Sequence, residues 1–385
     1  MFRSKKSKNK FSTAAIIGSG ISGIACAIRL SQLGFKVEVF EGNKHAGGKI
    51  SEIEKDGFRF DSGPSLLTLP QLIDELFYCC NKNPREYFNY NKLEIICKYF
   101  YNDGATLKAF SSPVKFADEA ERVTGEPSKK ILRYLKKSKK LFDVVEPVFL
   151  QRSLHKRSTY FVKPAWNAFI NLYKLDSGST LHNRNKTEFS SPKIVQLFDR
   201  YATYNGSDPF LAPATLKVIP HLEFNLGAYF PVNGMRSIIT SLQELAEQSG
   251  VTFYFNSVVE EIIVSNNSAT GIKFRNSEGA SIEKFDVVVS NMDVVNTYRK
   301  LLPEKNNINQ IEKQPRSTSA LVFYWGIKKE FSELELHNIL FSSDYKREFE
   351  FLTHKKEIYN DPTIYINISS KKKKMMRLPV ARIGL

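Results

Sequence analysis

Ala14-Ala15-Ile16-Ile17-Gly18-Ser19-Gly20-Ile21-Ser22-Gly23, continued by Ile24 to Leu33 and Gly34 and then by Lys36-Val37-Glu38-Val39-Phe40-Glu41, is the stretch that decides the fold. Ala14 to Ile17 reads as a short buried strand, Ile24 to Leu33 as a helix closed by Gly34, and Lys36 to Glu41 as a second strand with an acid at its end. Between strand and helix the glycines follow G-x-G-x-x-G, in the order that a dinucleotide-binding βαβ unit requires. Gly18 permits the tight turn, Gly20 lets the backbone approach a pyrophosphate, and Gly23 lets the helix pack closely on the sheet. The helix start at Ile21 and Ser22 offers unpaired N–H groups to the anion. Glu41 is placed to accept hydrogen bonds from a ribose, and an acid there disfavours a 2′-phosphate, hence NADP.

Working outward, 385 residues suit two interleaved domains, each able to bury a core. Apolar content of 42% and charged content of 25% are ordinary for a globular protein, and no apolar run approaches the roughly 20 residues of a spanning helix. Met1 to Lys10 is basic but leads straight into a strand pattern, so it does not read as a secretory signal. Cys26, Cys79, Cys80 and Cys97 have no metal-ligand spacing and read as reduced thiols; no metal site is expected. A net charge of +16 calls for an acidic partner, nucleic acid or an anionic membrane surface, and composition does not choose between them.

Past Glu41 the sequence runs Gly42-Asn43-Lys44-His45-Ala46-Gly47-Gly48-Lys49. This resembles the extension found in the amine oxidase and phytoene desaturase flavoproteins, whose Gly-Gly-Arg or Gly-Gly-Lys turn touches the FAD diphosphate and ribose. The resemblance therefore implies FAD, not NAD, with Gly47, Gly48 and Lys49 at the cofactor. Gly57-Phe58-Arg59-Phe60-Asp61-Ser62-Gly63-Pro64-Ser65, then Thr68-Leu69-Pro70, looks like the family segment that runs beneath the flavin, which adds Gly63, Pro64 and Ser65. Taken alone, Asp61 to Pro64 reads as a turn after a strand. A second long match covers Leu197 to Ser207, Ala212-Pro213-Ala214, His221-Leu222-Glu223, Gly227 to Pro231 and Gly234-Met235. It resembles the carotenoid desaturases, and Arg200-Tyr201-Ala202-Thr203-Tyr204 is more similar to those acting on 1-hydroxylated carotenoids than to those acting on phytoene.

Ser241 to Gly250 reads as a helix, Val251 to Phe255 as a strand, and Val258 begins another. In related flavoproteins the pair matching Val258 and Val259 lies against the adenine through backbone groups, and Asp286 to Asn291 matches the strand that returns to the nucleotide domain. The implied fold is α/β: a Rossmann-like FAD-binding domain of the GR2 type with an inserted α+β substrate domain. The expected division is a basic tail 1–10, FAD-binding segments 11–90 and 236–300, substrate-domain segments 91–235 and 301–370, and an aberrant tail 371–385.

The implied chemistry is removal of two hydrogens from a saturated carbon pair of a carotenoid, with hydride passing to the flavin. No residue is assigned as catalytic base. His221 and Glu223 would point to opposite faces if their segment were a strand, and a structural role is expected of each. Two rivals stay open here: an amine oxidase-like flavoenzyme, and a non-catalytic truncated remnant. The second rests on the ending, where Lys371 to Lys374 could be an adenine run and a frame shifted by one base permits a family-like continuation; the reading expects a frameshift that shortened the chain.

For partners, Lys129 to Phe142 reads as a basic amphipathic helix with Ile131, Leu132, Leu135 and Phe142 as its apolar members. Phe161, Trp166, Phe169, Ile170 and Tyr173, with Lys163 and Lys174, form a second interfacial candidate. A hydrophobic polyene substrate dissolves in the bilayer, so the expectation is a cytoplasmic enzyme held peripherally on the inner face of the cell membrane. Nucleic-acid binding is not expected, because no recognition motif accompanies the charge.

Overall fold

The computed structural model describes residues 12–153, 156–162, 176, 178–302, 308–314 and 316–372. Two compact units emerge, the first from Met1–Ser65, Pro70–Tyr90 and Pro231–Pro315, the second from Leu66–Leu69, Asn91–Phe230 and Arg316–Leu385. The basic tail 1–10, the interfacial residues Trp166, Phe169, Ile170 and Tyr173 with their two lysines, and the tail from 373 lie outside the described residues.

In the first unit, β1 (Thr13–Ile17), α1 (Ile21–Gln32) and β2 (Lys36–Phe40) form the parallel βαβ unit that the opening stretch predicts. β2 pairs in parallel on one side of β1, and the strand Val287–Ser290 pairs in parallel on the other, with Ala14 opposite Val287 and Ile17 opposite Ser290. Thr252–Tyr254 adds a fourth parallel strand beyond β2. All four strands therefore point their C-terminal ends to one edge, and the chain order reverses at β1, the place where such sheets bind ligands. Asp286 fastens the returning strand: its carboxylate accepts from Thr13 N at 2.8 Å, and its own N–H donates to Thr13 Oγ1 at 3.1 Å.

Burial on both faces explains the apolar run of β1. Ala15, Ile17 and Phe40 pack against Val259, Ile262, Ile272, Phe274 and Phe285. Those five come from, or directly follow, an antiparallel sheet of Val258–Ser265, Ser268–Asn276 and Gly279–Lys284. α1 packs on β1, β2 and the helix Arg236–Gln248, which buries Ile238, Ile239, Leu242 and Leu245. After β2 the chain makes the hairpin β3 (Ser51–Lys55) and β4 (Phe58–Ser62), turned tightly by Asp56 and Gly57 at φ 52° and 77°.

The helix α1 begins three residues earlier than the apolar pattern suggests. Gly20 is extended at φ −67°, ψ 169°, and its carbonyl accepts from Ile24 N at 3.0 Å, so the fingerprint itself forms the first turn.

The second unit carries a four-stranded mixed sheet in the order Ile364–Asn367, His337–Leu340, Ile95–Phe100, Thr106–Phe110. Beside it Phe116, Phe198 and Phe224 form an aromatic core, with Phe116 and Phe224 stacked at 4.3 Å between centroids. The basic helix runs Ser128–Val145 and buries Ile131, Tyr134, Leu135 and Leu141, while Leu132 and Phe142 are half-buried. Its apolar stripe is therefore core, and what it presents outward is Lys129, Arg133, Lys136, Lys137, Lys139 and Lys140. This corrects the expectation of an apolar face available to a bilayer; only the charged face remains. Leu321, Val322, Phe323 and Trp325 are exposed in a segment without strand partners among the described residues.

Candidate cofactor-binding site

Of the residues named from the sequence, Gly18, Gly20, Gly23, Glu41, Gly47 and Gly48 lie together just past the C-terminal end of β1. Gly18 N donates to Phe40 O at 2.8 Å, which ties the first turn to the end of β2. Gly47 N donates to Ser19 O at 2.9 Å, and Gly20 and Gly47 pair as an isolated parallel bridge, so the second glycine turn lies directly on the first. A Cβ on Gly23 would fall 2.2 Å from Gly18 O, and one on Gly20 would fall 2.9 Å from Asn291 Nδ2. Gly47 adopts φ 133° and has no room for a side chain.

The cradle suits an anion. α1 opens without a side-chain cap and without an acid in its first turn, leaving the N–H groups of Ile21, Ser22 and Gly23 and the positive end of the helix dipole directed at the glycine turns. An uncapped helix start and the positive end of its dipole have the chemistry that a dinucleotide diphosphate needs.

Glu41 sits just beyond β2, 7% exposed. One carboxylate oxygen accepts from Ser19 N at 2.9 Å and Ser19 Oγ at 2.7 Å; the other accepts from Asn43 N at 3.0 Å and Asn43 Nδ2 at 2.7 Å. Burial alone would raise its pKa, but these four donors outweigh it and hold the carboxyl below the ordinary range. Two of the donors, Ser19 Oγ and Asn43 Nδ2, are on rotatable side chains, while the two backbone donors hold the carboxylate in place.

Other predicted residues are distributed around this centre. Gly48 lies against Gly20, with 3.3 Å from its would-be Cβ to Gly20 Cα. Lys49 extends into solvent, and it is the Lys49 carbonyl that meets Gly63, 1.8 Å from a Cβ built there. Pro64 is exposed and Ser65 half-buried after β4. Val258 is exposed and its Cγ2 lies 3.3 Å from a Cβ built on Gly42, next to Glu41, whereas Val259 turns into the core with Phe274. The pair thus divides between surface and core, as alternation along a strand demands.

Two residues at the cradle escaped the sequence reading. Asn291 follows the returning strand; its N–H donates to Ile17 O at 2.8 Å and its Nδ2 to Gly18 O at 3.5 Å. Its signal was its place directly after a strand parallel to β1. Arg236, at the start of the helix Arg236–Gln248, donates from Nη1 to Ala46 O and to Ile50 O, the latter at 3.2 Å. Nothing in the sequence distinguishes it from a surface arginine.

In the second unit the segment from His221 to Glu223 is helical, Ile219–His221 continuing into Leu222–Leu226, so the strand geometry considered for it does not arise. Pro220 lies in the opening turn, where its missing N–H costs nothing. Glu223 accepts from Tyr201 OH at 2.6 Å and from Arg200 Nη2 at 3.4 Å, all buried. The Arg200 guanidinium lies 4.4 Å from the Tyr201 ring centroid. The His221 ring lies tilted against Phe142, 4.7 Å between centroids, and burial pushes its pKa down. Both are packing groups here.

Comparison with known proteins agrees with this geometry. Residues 21–343 match the family model described as flavin containing amine oxidoreductase. The chain is 47% identical over 358 residues to a 1-hydroxycarotenoid 3,4-desaturase of Flavobacterium sp. (strain P99-3), covering 93% of this chain and 72% of that protein. It is 30% identical to a 4,4'-diaponeurosporene oxygenase of Staphylococcus haemolyticus (strain JCSC1435), covering 92% and 70%, and 31% identical to a phytoene desaturase of Cercospora nicotianae, covering 95% and 59%. Among solved structures, an oxidoreductase from Methanosarcina mazei shares the fold, with TM-score 0.53 and 19% identity over 78% of this chain and 63% of that one. With a family model matching residues 21–343, most of its length, the chain belongs to the flavin-containing amine oxidoreductase family.

Proposed function

We propose that this chain is an FAD-dependent oxidoreductase of carotenoid biosynthesis that introduces a double bond into a polyene of the 1-hydroxycarotenoid class. The observation that carries the reading is the 47% identity, over 93% of the chain, to a protein of that activity. When bound, FAD supplies the two-electron acceptor that removes hydride from a saturated carbon. The residues of the first unit bind and orient it. Ile21, Ser22 and Gly23 present N–H groups to the diphosphate, Glu41 receives the ribose hydroxyls as Ser19 Oγ and Asn43 Nδ2 yield, and Gly47 and Gly48 keep the backbone close. Val258 and Val259 are proposed to meet the adenine, Val258 with its exposed side and Val259 through its backbone.

A polyene enters from the bilayer, so the enzyme works at a membrane surface, on the inner face of the cell membrane. The net charge of +16 and the lysine face of Ser128–Val145 support docking by charge; no helix among the described residues is long and apolar enough to cross a membrane.

The test is to supply FAD to the purified chain and follow a 1-hydroxycarotenoid, its non-hydroxylated counterpart and an amine in anionic and neutral liposomes. The expected result is a red-shifted polyene spectrum, strongest for the hydroxylated substrate in anionic vesicles. Flavin binding with amine oxidation and no spectral shift would transfer the chain to the amine oxidase branch, and incorporation of oxygen instead of desaturation would place it with the oxygenases.

A further inference from the structure

Among the described residues Arg236 is the charged side chain that donates to the second glycine turn. Its Nη1 bridges Ala46 O and Ile50 O, closing the turn from beneath, and a Cβ on Gly47 would fall 2.3 Å from that same nitrogen. The turn it closes is the one whose Gly47 N donates to Ser19 O and whose backbone bridges Gly20. Through Ala46 and Ile50 it therefore acts on the cradle.

Its charge is the unusual part. Among the described residues no carboxylate lies within ion-pair distance of the Arg236 guanidinium. The acid whose field reaches it is Glu52, and Glu52 is paired with Arg59. Burial pushes the Arg236 pKa down, yet a guanidinium stays cationic at any working pH. Holding two carbonyls needs only neutral donors. A half-buried cation with no acid partner carries a desolvation cost, which an arriving anion offsets.

We propose that Arg236 is a positioning residue for the FAD diphosphate: it holds the Ala46–Ile50 turn in the shape the cofactor meets and supplies positive charge opposite the N-terminus of α1. The proposal rests on the flavin reading of the cradle. Two variants separate charge from the fork: Arg236→Lys keeps the charge and nearly the reach but loses the fork, while Arg236→Gln removes the charge and ends two bonds short of the carbonyls.

The experiment measures FAD affinity of the full chain by flavin fluorescence quenching at low and high salt, with ADP and adenosine as competing probes. Arg236→Gln is expected to weaken FAD and ADP by roughly 10- to 100-fold at low salt, to leave adenosine within about twofold, and to flatten the salt dependence. Arg236→Lys recovers part of the ADP affinity, and the cofactor-free unfolding midpoints of the two variants lie close together, so that the difference in ADP affinity between them reports the charge. Equal losses for ADP and adenosine, or a lowered midpoint without any change in ADP affinity, would reduce Arg236 to a structural clamp and overturn the proposal. Wild-type chain that binds neither FAD nor ADP would instead remove the flavin reading itself, and the proposal with it.

Discussion

Glu41→Gln isolates one carboxylate in a space that the substitution does not change. In the native chain both carboxylate oxygens accept from backbone N–H groups that cannot move away, Ser19 N at 2.9 Å and Asn43 N at 3.0 Å. An amide offers only one oxygen, so its NH2 must face one of those donors and leave it buried without an acceptor. Two charge-assisted bonds become at best one neutral bond, and the orphaned N–H adds its desolvation, for a total of about 2–4 kcal/mol. For a domain of 150–250 residues that corresponds to a midpoint lower by about 5–15 °C. The assay is thermal unfolding of cofactor-free protein followed by near-UV circular dichroism, repeated across pH. Because the folded pKa of Glu41 lies below its ordinary value, its contribution is present above the unfolded pKa and is lost as pH falls through the folded one. The variant should lack that acid limb. A Gln variant melting within about 1 °C of wild type at neutral pH would refute the bond set derived for Glu41.

Further outcomes follow from other sites. Gly23→Ala drives a methyl against Gly18 O, 2.2 Å away, and should cost about 1–3 kcal/mol of stability and most FAD binding, measured by denaturant melt and flavin titration. His337, with its pKa pushed down to about 3 by burial and by the positive charge of Arg200, is neutral in the fold. Its unfolded form protonates near pH 6.5, so stability falls by up to about 1.4 kcal/mol per pH unit between there and the folded pKa. His337→Gln should flatten that slope in urea melts taken from pH 7 to 4, and an unchanged slope would contradict it. Tyr201→Phe removes the 2.6 Å bond to Glu223 and should cost about 1–3 kcal/mol, whereas Glu223→Gln, which also strips the buried Arg200 of its partner, should cost more, about 3–5 kcal/mol. Val322→Lys, on a side chain 60% exposed in an apolar run, should leave the melt within about 0.5 kcal/mol of wild type in a denaturant titration.

The first unit was readable because its signals are local. Four apolar residues before Gly18, glycines at fixed offsets and an acid after a second apolar strand are consequences of backbone geometry that few other folds require. The same logic failed at the helix start, where Gly20 caps a turn that carries no apolar residue but Ile21. It also failed for the helix Ser128–Val145, whose apolar stripe serves a core as readily as a membrane; periodicity reports that a face is buried, not against what. Arg236, and the part played by Asn291 at the end of the recognised returning strand, went unread for a different reason. Each reaches the cradle from beyond residue 230, and only the folded register brings them beside residues 18–50. Val258 and Val259 show the intermediate case, a correct element whose two faces the family likeness did not separate.

The reciprocal bonds between Thr13 and Asp286 span 273 residues of chain, and β1 is flanked on one side by a strand that begins at Val287. During synthesis, at about 5–20 residues per second, β1 therefore waits on the order of 10–60 s with one edge bare after it leaves the ribosome. Through that interval the inserted second unit is being made, and an open parallel edge of Ala14 to Ile17 is a template for pairing with another nascent chain. The yield of soluble protein should thus depend on elongation rate and on chaperones that shield β1. A circular permutant that begins at Asp286 would leave about 107 residues (291–385 and 1–12) and the linker between the two strands, in place of 269, and so shorten the wait by roughly half.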